Sequence, residues 1–165
     1  MCRALVFVSA FIRVLFIFYD EVTCPGPKQG WKVIDVPVRD PAPNEVFIKV
    51  YASGLCASDK FVQDGTWPGL QYPRVPGHEV VGRVVATGSG IDADGRLKTG
   101  ALVGVGWSGG YCNVCRMCRN GDFAGCVTAQ YSGFTSDGGH GEYVYAPETG
   151  TYEHLFLYYT VILRD

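Results

Sequence analysis

The chain has little charge and no excess of one sign. Charged residues make up 18% of its 165 residues, and the formal net charge is −2. Because no basic stripe stands out, the composition predicts no nucleic-acid partner. Hydrophobic residues account for 47% of the chain, which excludes wholesale disorder and allows a packed core. The length fits a single domain.

A membrane-spanning run is also lacking. The apolar stretch near the N-terminus, residues 4–18, is short and contains Arg13, and both features disfavour a membrane span. A secretory signal beginning near Arg3, a strand of the fold and a misassembled start are open alternatives for it. The apolar tail after Gly150 is either a last strand or foreign sequence. We therefore predict one domain over residues 30–150 between two anomalous ends, residues 1–29 and 151–165.

The chain contains no strand–turn–helix unit with the Gly-x-Gly-x-x-Gly pattern. Such a unit presents backbone amides to the pyrophosphate of a dinucleotide. The glycine-rich residues 87–90 are predicted to form a lone turn between strands. We thus expect no cofactor-binding residue within residues 1–165.

Glycine and proline, by contrast, are plentiful, with 22 and 9 residues spread along the chain. This distribution predicts many short strands joined by turns, and no long stretch of residues 30–150 shows helical periodicity. The predicted fold is mainly β, a closed or partly open barrel, because closure removes exposed strand edges. Candidate strands, rich in β-branched or aromatic side chains, cover residues 33–38, 46–51, 80–86, 101–106 and 142–146.

Four of the seven cysteines lie within fifteen residues: Cys112, Cys115, Cys118 and Cys126. Their C-x2-C-x2-C-x7-C spacing brings four soft donors to one ion, which suits a structural zinc. Two disulfides, buried free thiols and an iron–sulfur cluster are the alternatives. Zinc ligation needs reduced thiols, so we predict a cytoplasmic protein.

A second set of candidate ligands precedes this loop. Cys56 is followed closely by Ser58 and Asp59, and His78-Glu79 come about twenty residues later. Taken singly these residues are weak signals, because a lone cysteine is usually a buried hydrophobe and a lone histidine is more often structural. Their order, followed by the four-cysteine loop, favours a metal site.

With these motifs in this order, the chain resembles the N-terminal, GroES-like catalytic domain of zinc-dependent medium-chain alcohol dehydrogenases. The resemblance covers roughly residues 30–150. It implies a GroES-like, partly open β-barrel with a zinc-binding four-cysteine lobe. Supporting segments are residues 43–46 (Pro-Asn-Glu-Val), 72–79 (Tyr-Pro-Arg-Val-Pro-Gly-His-Glu), 103–106 (Val-Gly-Val-Gly) and 138–143 (Gly-Gly-His-Gly-Glu-Tyr), the last similar to the family's Gly-Gly-x-Ala-Glu-Tyr strand.

The resemblance implies a role for each matching residue. Cys56 and His78 resemble ligands of a catalytic zinc, and Glu79 resembles the nearby carboxylate that can also bind it. Ser58 resembles the hydroxyl that takes the substrate's proton, with a local turn hydrogen bond as the alternative. Asp59 resembles the carboxylate that orients the imidazole, since a ligating histidine needs its other N–H satisfied. An ordinary turn or cap carboxylate is the alternative for Asp59.

The chain departs from the family's pattern at two points. Where many members carry a relay histidine, residues 60–62 read Lys-Phe-Val. The family's third protein ligand of the catalytic zinc has no matching motif here, so this site is predicted to be incomplete. The late candidates for that ligand are His140, Glu148, Glu153, His154 and Asp165.

By this resemblance, the full-length parent is expected to oxidise an alcohol, or to reduce an aldehyde or ketone. Zinc acts in such enzymes as a Lewis acid, and hydride passes to NAD(P). The small-molecule substrate is expected to contact some of Phe61, Trp67 and Tyr72, which could equally belong to the core.

We expect a homo-oligomer for the parent. The chain as it stands, cut before its cofactor-binding half, is expected to be an inactive fragment. The alternatives are a non-catalytic zinc-binding barrel or partner-binding module and, ranked last, a zinc-ribbon nucleic-acid module.

Overall fold

The computed structural model describes residues 18–153, and this part of the chain is mainly β. Its strands are β1 (Phe18–Thr23), β2 (Lys32–Pro37), β3 (Glu45–Ser53), β4 (Val80–Thr87), β5 (Leu102–Val105), β6 (Ser108–Gly110), β7 (Gln130–Tyr131), β8 (Tyr143–Pro147) and β9 (Thr151–Glu153). Its helices are α1 (Asp59–Asp64) and α2 (Arg116–Arg119), and one 3-10 turn covers Glu148–Gly150.

Five antiparallel strands form the main sheet in the order β8–β3–β4–β5–β9, curled into half a barrel. Val46 and Ile48 of β3 and Val84 of β4 are almost fully buried on its inner face. Register shifts along β3 interrupt its pairing with β4, and such bulges increase the local twist. The close approach of β3 and β4 needs glycine at position 82, because a Cβ there would collide with the Lys49 carbonyl oxygen.

The strand predictions are confirmed to within two residues at each end. Residues 33–38 correspond to β2, 46–51 to β3, 80–86 to β4, 101–106 to β5 and 142–146 to β8. The predicted lone turn at residues 87–90 follows β4, where the Gly90 N–H donates to the Pro43 carbonyl over 2.8 Å. The mainly β fold with a partly open barrel is therefore confirmed.

Two strands lie beyond the predicted limits of the domain. β1 pairs with β2 along its whole length, and β9 pairs with β5 at the edge of the main sheet. Tyr19 of β1 is buried against the rings of Phe47 and Tyr143, with centroid distances of 6.0 and 5.5 Å. The division at residues 30 and 150 stays a prediction. The remaining parts of the two predicted ends, residues 1–17 and 154–165, lie outside the described residues.

A second, smaller apolar cluster lies beneath α1. Cys24, Val62 and Phe134 are buried at its centre. Partly buried side chains pack around them: Trp67, Leu70, Tyr72, Trp107 and Tyr131. Because Val62 belongs to α1, this cluster fixes the helix whose first turn carries the candidate site. Over residues 18–153, no helix is long and apolar enough to cross a membrane.

Candidate active site

The loop between β3 and α1 presents Cys56 and Ser58 on one side. Gly54 lies against the side chain of Glu79, whose carboxylate would have to move to make room for a Cβ at position 54. Ser58 immediately precedes α1, yet its hydroxyl makes no capping hydrogen bond. Its Oγ instead lies 3.1 Å from Cys56 Sγ and 3.1 Å from His78 Nε2. The Ser58 hydroxyl is therefore directed at the candidate metal donors rather than at the helix backbone.

His78 reaches the same point from the loop before β4. Gly77 has a φ of +106°, a conformation that glycine adopts at little cost. A backbone hydrogen bond from a distant segment fixes this loop, since the His140 N–H donates to the Pro76 carbonyl over 3.0 Å. The imidazole of His78 is buried and meets the ring of Trp107 edge-on at a centroid distance of 5.1 Å.

Cys56, His78 and Glu79 each offer one donor atom, and these atoms all lie within 4.8 Å of one another. Thiolate, imidazole and carboxylate are the usual protein ligands of zinc. Within residues 18–153, His78 Nδ1 and Asp59 Oδ1 are buried without a hydrogen-bond partner, 3.5 Å apart. A cation at Nε2 would draw Nδ1–H towards that carboxylate, so the pair suits a ligating imidazole. The residues present fit a zinc ion, and their assignment as its ligands stays a prediction.

Asp59 makes a local turn bond and also lies beside His78, so its orienting role stays a prediction. Its Oδ2 accepts the backbone N–H of Cys56 over 2.9 Å, which is a local turn bond. The same oxygen lies 3.4 Å from Nε2 of His140, while Oδ1 faces His78. Burial raises the pKa of Asp59, but the hydrogen bonds from His140 and Cys56 and the charges of both histidines outweigh it, so the pKa lies below its ordinary value. Asp59 is therefore a carboxylate at neutral pH.

None of the late candidates within the described residues joins the three donors. The His140 ring contacts Asp59 and, through Nδ1, the hydroxyl of Ser53 at 2.8 Å. The carboxylate of Glu148 lies 3.7 Å from the guanidinium of Arg96. The other candidates are Glu153, at the end of β9, and His154 and Asp165, which lie outside the described residues.

Residues 60–62, which replace the expected relay histidine, belong to α1. Lys60 Nζ pairs with the carboxylate of Asp64 at 2.9 Å, one turn along the helix. Val62 is fully buried, whereas the side chain of Phe61 is 47% exposed. The basic group of this segment is therefore used in a surface ion pair on the helix.

Aromatic rings form a wall beside His78. Trp107 and Phe134 lie 5.1 and 6.0 Å from the imidazole, and Trp67 packs against both at 5.6 and 5.0 Å. Sequence reasoning named Trp67 but missed Trp107 and Phe134, because they come from distant segments without a motif of their own. The one available signal was the position of Trp107, directly after the Val-Gly-Val-Gly segment. Tyr72 packs against the cluster beneath α1.

Chemistry rather than size distinguishes the cleft at these donors. A cleft of about 310 Å³ opens onto two of them, His78 and Glu79, and its other lining residues are Val80, Gly104, Val105, Gly106 and Tyr152. A larger cleft of about 430 Å³ lies between the β1–β2 hairpin and β8, where Glu21 and Arg39 are among its lining residues. Of these two clefts, only the smaller one is lined by clustered metal-donor residues, namely His78 and Glu79.

The four cysteines of the predicted zinc lobe come together around α2, with their sulfur atoms within 4.8 Å of one another. All four are free thiols, and the 3.6 Å between Cys112 Sγ and Cys126 Sγ far exceeds a disulfide bond of about 2.05 Å. Backbone amides point at the sulfurs: Cys112 Sγ accepts from the Cys115 N–H (3.4 Å) and Cys126 Sγ from the Cys112 N–H (3.4 Å). Such bonds favour the thiolate, the form that binds zinc.

Backbone amides and burial act in opposite directions on these thiols. The Cys112 amide lowers the pKa of Cys126 to about 6, and the Cys118 amide lowers the pKa of Cys115. Burial raises the pKa of Cys118 to about 12. Four thiols at this spacing cannot all ionise without a cation between them, so the lobe fits a metal ion.

Known proteins share both the sequence and the strand arrangement around these sites. Residues 42–154 match the family model of the alcohol dehydrogenase GroES-like domain. Alcohol dehydrogenase patD of Aspergillus clavatus is 44% identical over 110 residues, which are 67% of this chain and 27% of that protein. The solved cobalt- and zinc-bound thermostable alcohol dehydrogenase from Pyrobaculum aerophilum is 27% identical, with a TM-score of 0.74 over 82% of this chain and 41% of its own. The short chain alcohol dehydrogenase rspB from E. coli CFT073, complexed with the cofactor NADH, is 29% identical, with a TM-score of 0.73 over 82% and 38%.

This chain covers between 27% and 38% of the curated relatives' own length. The family model, however, covers more than half of this chain and spans both donor clusters. The chain belongs to the family of alcohol dehydrogenase GroES-like domains.

Proposed function

We propose that this chain supplies the zinc-binding and substrate-binding part of an NAD(P)-dependent alcohol dehydrogenase. The observation that carries the proposal is the position of the Ser58 hydroxyl, 3.1 Å from both Cys56 Sγ and His78 Nε2. A substrate oxygen bound at these donors lies within proton-transfer reach of that hydroxyl. The zinc and NADH named for the solved relatives support the same activity.

The chemistry divides between the metal and the side chains. A zinc ion held by Cys56, His78 and Glu79 supplies Lewis-acid polarisation of an alcohol or carbonyl oxygen. The Ser58 hydroxyl relays the proton: during oxidation it accepts the proton of the substrate hydroxyl while releasing its own to water in the open cleft, and during reduction both transfers reverse. Oδ1 of Asp59 lies 3.5 Å from Nδ1 of His78, where it would accept Nδ1–H once a metal is bound at Nε2.

The aromatic wall indicates the substrate class. Trp107 lies beside His78 and packs against Trp67, with the buried ring of Phe134 behind them, and such apolar surface excludes water from an apolar substituent. We propose apolar alcohols and their aldehydes or ketones as substrates. Replacing Trp67 with Ala in the complete enzyme is expected to change the order of preference among short and long alcohols. An unchanged order would remove Trp67 from the pocket.

The four-cysteine lobe is proposed to hold a second, structural zinc. Its sulfurs are the only donors of that cluster within the described residues, which leaves no position for a substrate on a tetrahedral ion. The chemistry is therefore assigned to Cys56 and His78, and the lobe is assigned a role in stability.

Hydride transfer needs a nicotinamide-binding unit in addition to this site. Residues 18–153 contain no glycine-rich strand–turn–helix unit that could hold one. We propose that residues 1–165 alone bind zinc without turning over alcohol, and that the complete enzyme is a cytoplasmic homo-oligomer. Apolar side chains at the rim of the site, Leu55 and Tyr152, are exposed and would be covered by such a unit.

The proposal is tested first on metal content. The purified chain is expected to hold two zinc ions, and the Cys56→Ser variant is expected to hold one. If both proteins hold one zinc, the catalytic site is absent and the non-catalytic zinc-barrel alternative stands.

The second test concerns proton transfer in the complete enzyme. Ser58→Ala is expected to lower the rate of alcohol-dependent NADH formation by about 10²- to 10⁴-fold, the usual contribution of a general acid–base group. Ser89→Ala, in the exposed turn after β4, is the matched control and should leave the rate unchanged. Equal rates for the two variants would refute the role of Ser58.

A further inference from the structure

A line of buried and partly buried polar groups runs through the site to His78 and Ser58. It starts at Ser53, the last residue of β3, whose Oγ lies 2.8 Å from Nδ1 of His140. Nε2 of His140 lies 3.4 Å from Oδ2 of Asp59, and Oδ1 of Asp59 lies 3.5 Å from Nδ1 of His78. Nε2 of His78 completes the line, 3.1 Å from the hydroxyl of Ser58. The line therefore joins the end of a sheet strand to the donor side of the site.

The hydrogen positions along this line are determined by chemistry. A carboxylate only accepts hydrogen bonds, so Nε2 of His140, 3.4 Å from Oδ2 of Asp59, carries hydrogen. In the neutral form of His140 this is the single N–H, so Nδ1 is then an acceptor for the Ser53 hydroxyl. His78 Nδ1 lies 3.5 Å from Asp59 Oδ1 without a hydrogen bond, and a metal at Nε2 would place the single N–H of a neutral ring on Nδ1, facing that oxygen.

The three central side chains are too buried for water to replace these bonds. The side chains of Asp59, His78 and His140 are only 5%, 6% and 11% exposed. An unpaired polar group at such a depth costs about 1–3 kcal/mol. The orientation of each of these side chains is therefore limited by its contacts with the others.

The fold also holds the His140 ring against the loop that carries His78. The His140 N–H donates to the Pro76 carbonyl over 3.0 Å. A Cβ at Gly77 would lie 2.7 Å from Nδ1 of His140. Glycine at position 77 is thus required by its positive φ and by the space that the His140 imidazole occupies.

We propose that His140 is a positioning residue for His78, acting through Asp59, and that Ser53 sets the tautomer of His140. His140 holds Oδ2 of Asp59 so that Oδ1 stays opposite Nδ1 of His78, which keeps the Nε2 lone pair available for the metal. This inference rests on the proposed zinc site at Cys56, His78 and Glu79. It gives His140 a role other than that of a third ligand.

The first test reads the tautomers directly, by ¹⁵N NMR of the ring nitrogens in the whole chain. The chain has only three histidines, so His140→Gln and His78→Gln identify the two rings in the spectrum. In the wild type, the expected result is His140 as Nε2–H and His78 as Nδ1–H. In Ser53→Ala, His140 is expected to become a mixture of the two tautomers while His78 stays unchanged. A His140 ring protonated at Nδ1, or one unchanged by Ser53→Ala, would overturn the proposal.

The second test measures zinc affinity by competition with a chromophoric chelator, with the Cys56→Ser protein defining binding to the four-cysteine lobe. His140→Phe keeps an aromatic ring but has no donor for Asp59, and we expect zinc at the Cys56 site to bind about tenfold more weakly, in the range for partners of metal-bound histidines. His140→Gln keeps an N–H donor and should restore most of the affinity. Binding at the lobe should not change in either variant.

A matched control separates positioning from general loss of stability. Ser132 is a buried serine outside this line, and its hydroxyl donates to the Gly106 carbonyl over 2.9 Å. Ser132→Ala should lower the melting temperature without changing zinc affinity at the Cys56 site. If wild type and His140→Phe bind zinc equally at a site that Cys56→Ser abolishes, that result would refute the positioning role of His140 and leave the proposed function standing. A wild-type chain without that site would refute the proposed function instead.

Discussion

Replacing Asp59 with Asn removes the charge on which three N–H groups converge. The Cys56 amide and His140 Nε2–H meet Oδ2, and His78 Nδ1–H faces Oδ1. An asparagine has one oxygen, so it can serve the first two donors while its NH2 group faces the imidazole N–H of His78. Two donors then oppose each other in a site where the side chain of Asp59 is only 5% exposed.

His78 has two responses to this change, and both weaken metal binding. The N–H can stay unpaired, which costs about 1–3 kcal/mol when buried. Alternatively the ring can move its proton to Nε2, the nitrogen directed at Cys56 and Ser58, and so block the lone pair. At about 1.4 kcal/mol per factor of ten, we expect zinc at the Cys56 site to bind about 10- to 100-fold more weakly.

The assay is chelator competition on wild type, Asp59→Asn and a matched control. Asp92→Asn makes the same chemical change in an exposed turn, where the side-chain oxygen accepts the Asp94 N–H over 3.0 Å and asparagine can do the same. The control should bind zinc like wild type. An affinity for Asp59→Asn within twofold of wild type would refute the orienting role of this carboxylate.

Three further predictions concern stability. Removing metal from the four-cysteine lobe with a chelator should expose residues 112–126 to limited proteolysis, because metal binding is folding energy there; an unchanged cleavage pattern would contradict this. Gly82→Ala should cost about 1–3 kcal/mol in urea unfolding, since its Cβ meets the rigid carbonyl of Lys49, whereas Gly106→Ala, with open space around it, should be nearly neutral. Burial raises the pKa of Glu45. Hydrogen bonds from the Arg39 guanidinium and the Ala42 N–H outweigh this effect and leave the pKa of Glu45 below its ordinary 4.5. The wild type should therefore exceed Glu45→Gln in stability by about 0.2–1 kcal/mol above pH 4.5, and lose that advantage as the pH falls through the lowered pKa; a difference independent of pH would count against the ion pair.

The local motifs could be predicted from the sequence because their geometry depends on near neighbours. Two-residue gaps between Cys112, Cys115 and Cys118 bring their sulfurs together within one short segment around α2. The strands were predictable for a similar reason, since β-branched runs bounded by turn residues mark β3 and β4 without knowledge of their partners. The resemblance to known dehydrogenases then related Cys56 to His78, which no local rule could do.

The aromatic wall could not be predicted from local rules. Trp107 and Phe134 belong to segments that are far apart in the chain and meet only because the barrel and the cluster beneath α1 bring them to His78. An aromatic residue in a sequence is compatible with core, surface or pocket, and burial alone separates these roles. Tyr72 packs in the same cluster beneath α1 as Trp107 and Phe134, and the distance of each ring from His78 separates their roles.

The sequence by itself determined a mainly β domain with a four-cysteine lobe, because strand propensity and cysteine spacing act over a few residues, and the resemblance to known dehydrogenases implied its GroES-like fold. It also selected Cys56, Ser58, Asp59 and His78 as one candidate site. Only the tertiary structure decided how these side chains share hydrogen bonds. The sequence offered His140 as a late metal ligand, whereas the pairing of the 138–140 segment with the loop before β4 turns its ring to Asp59 and Ser53. Hydrogen-bond partners depend on distances of a few tenths of an ångström between distant segments, and only the packed chain sets those distances.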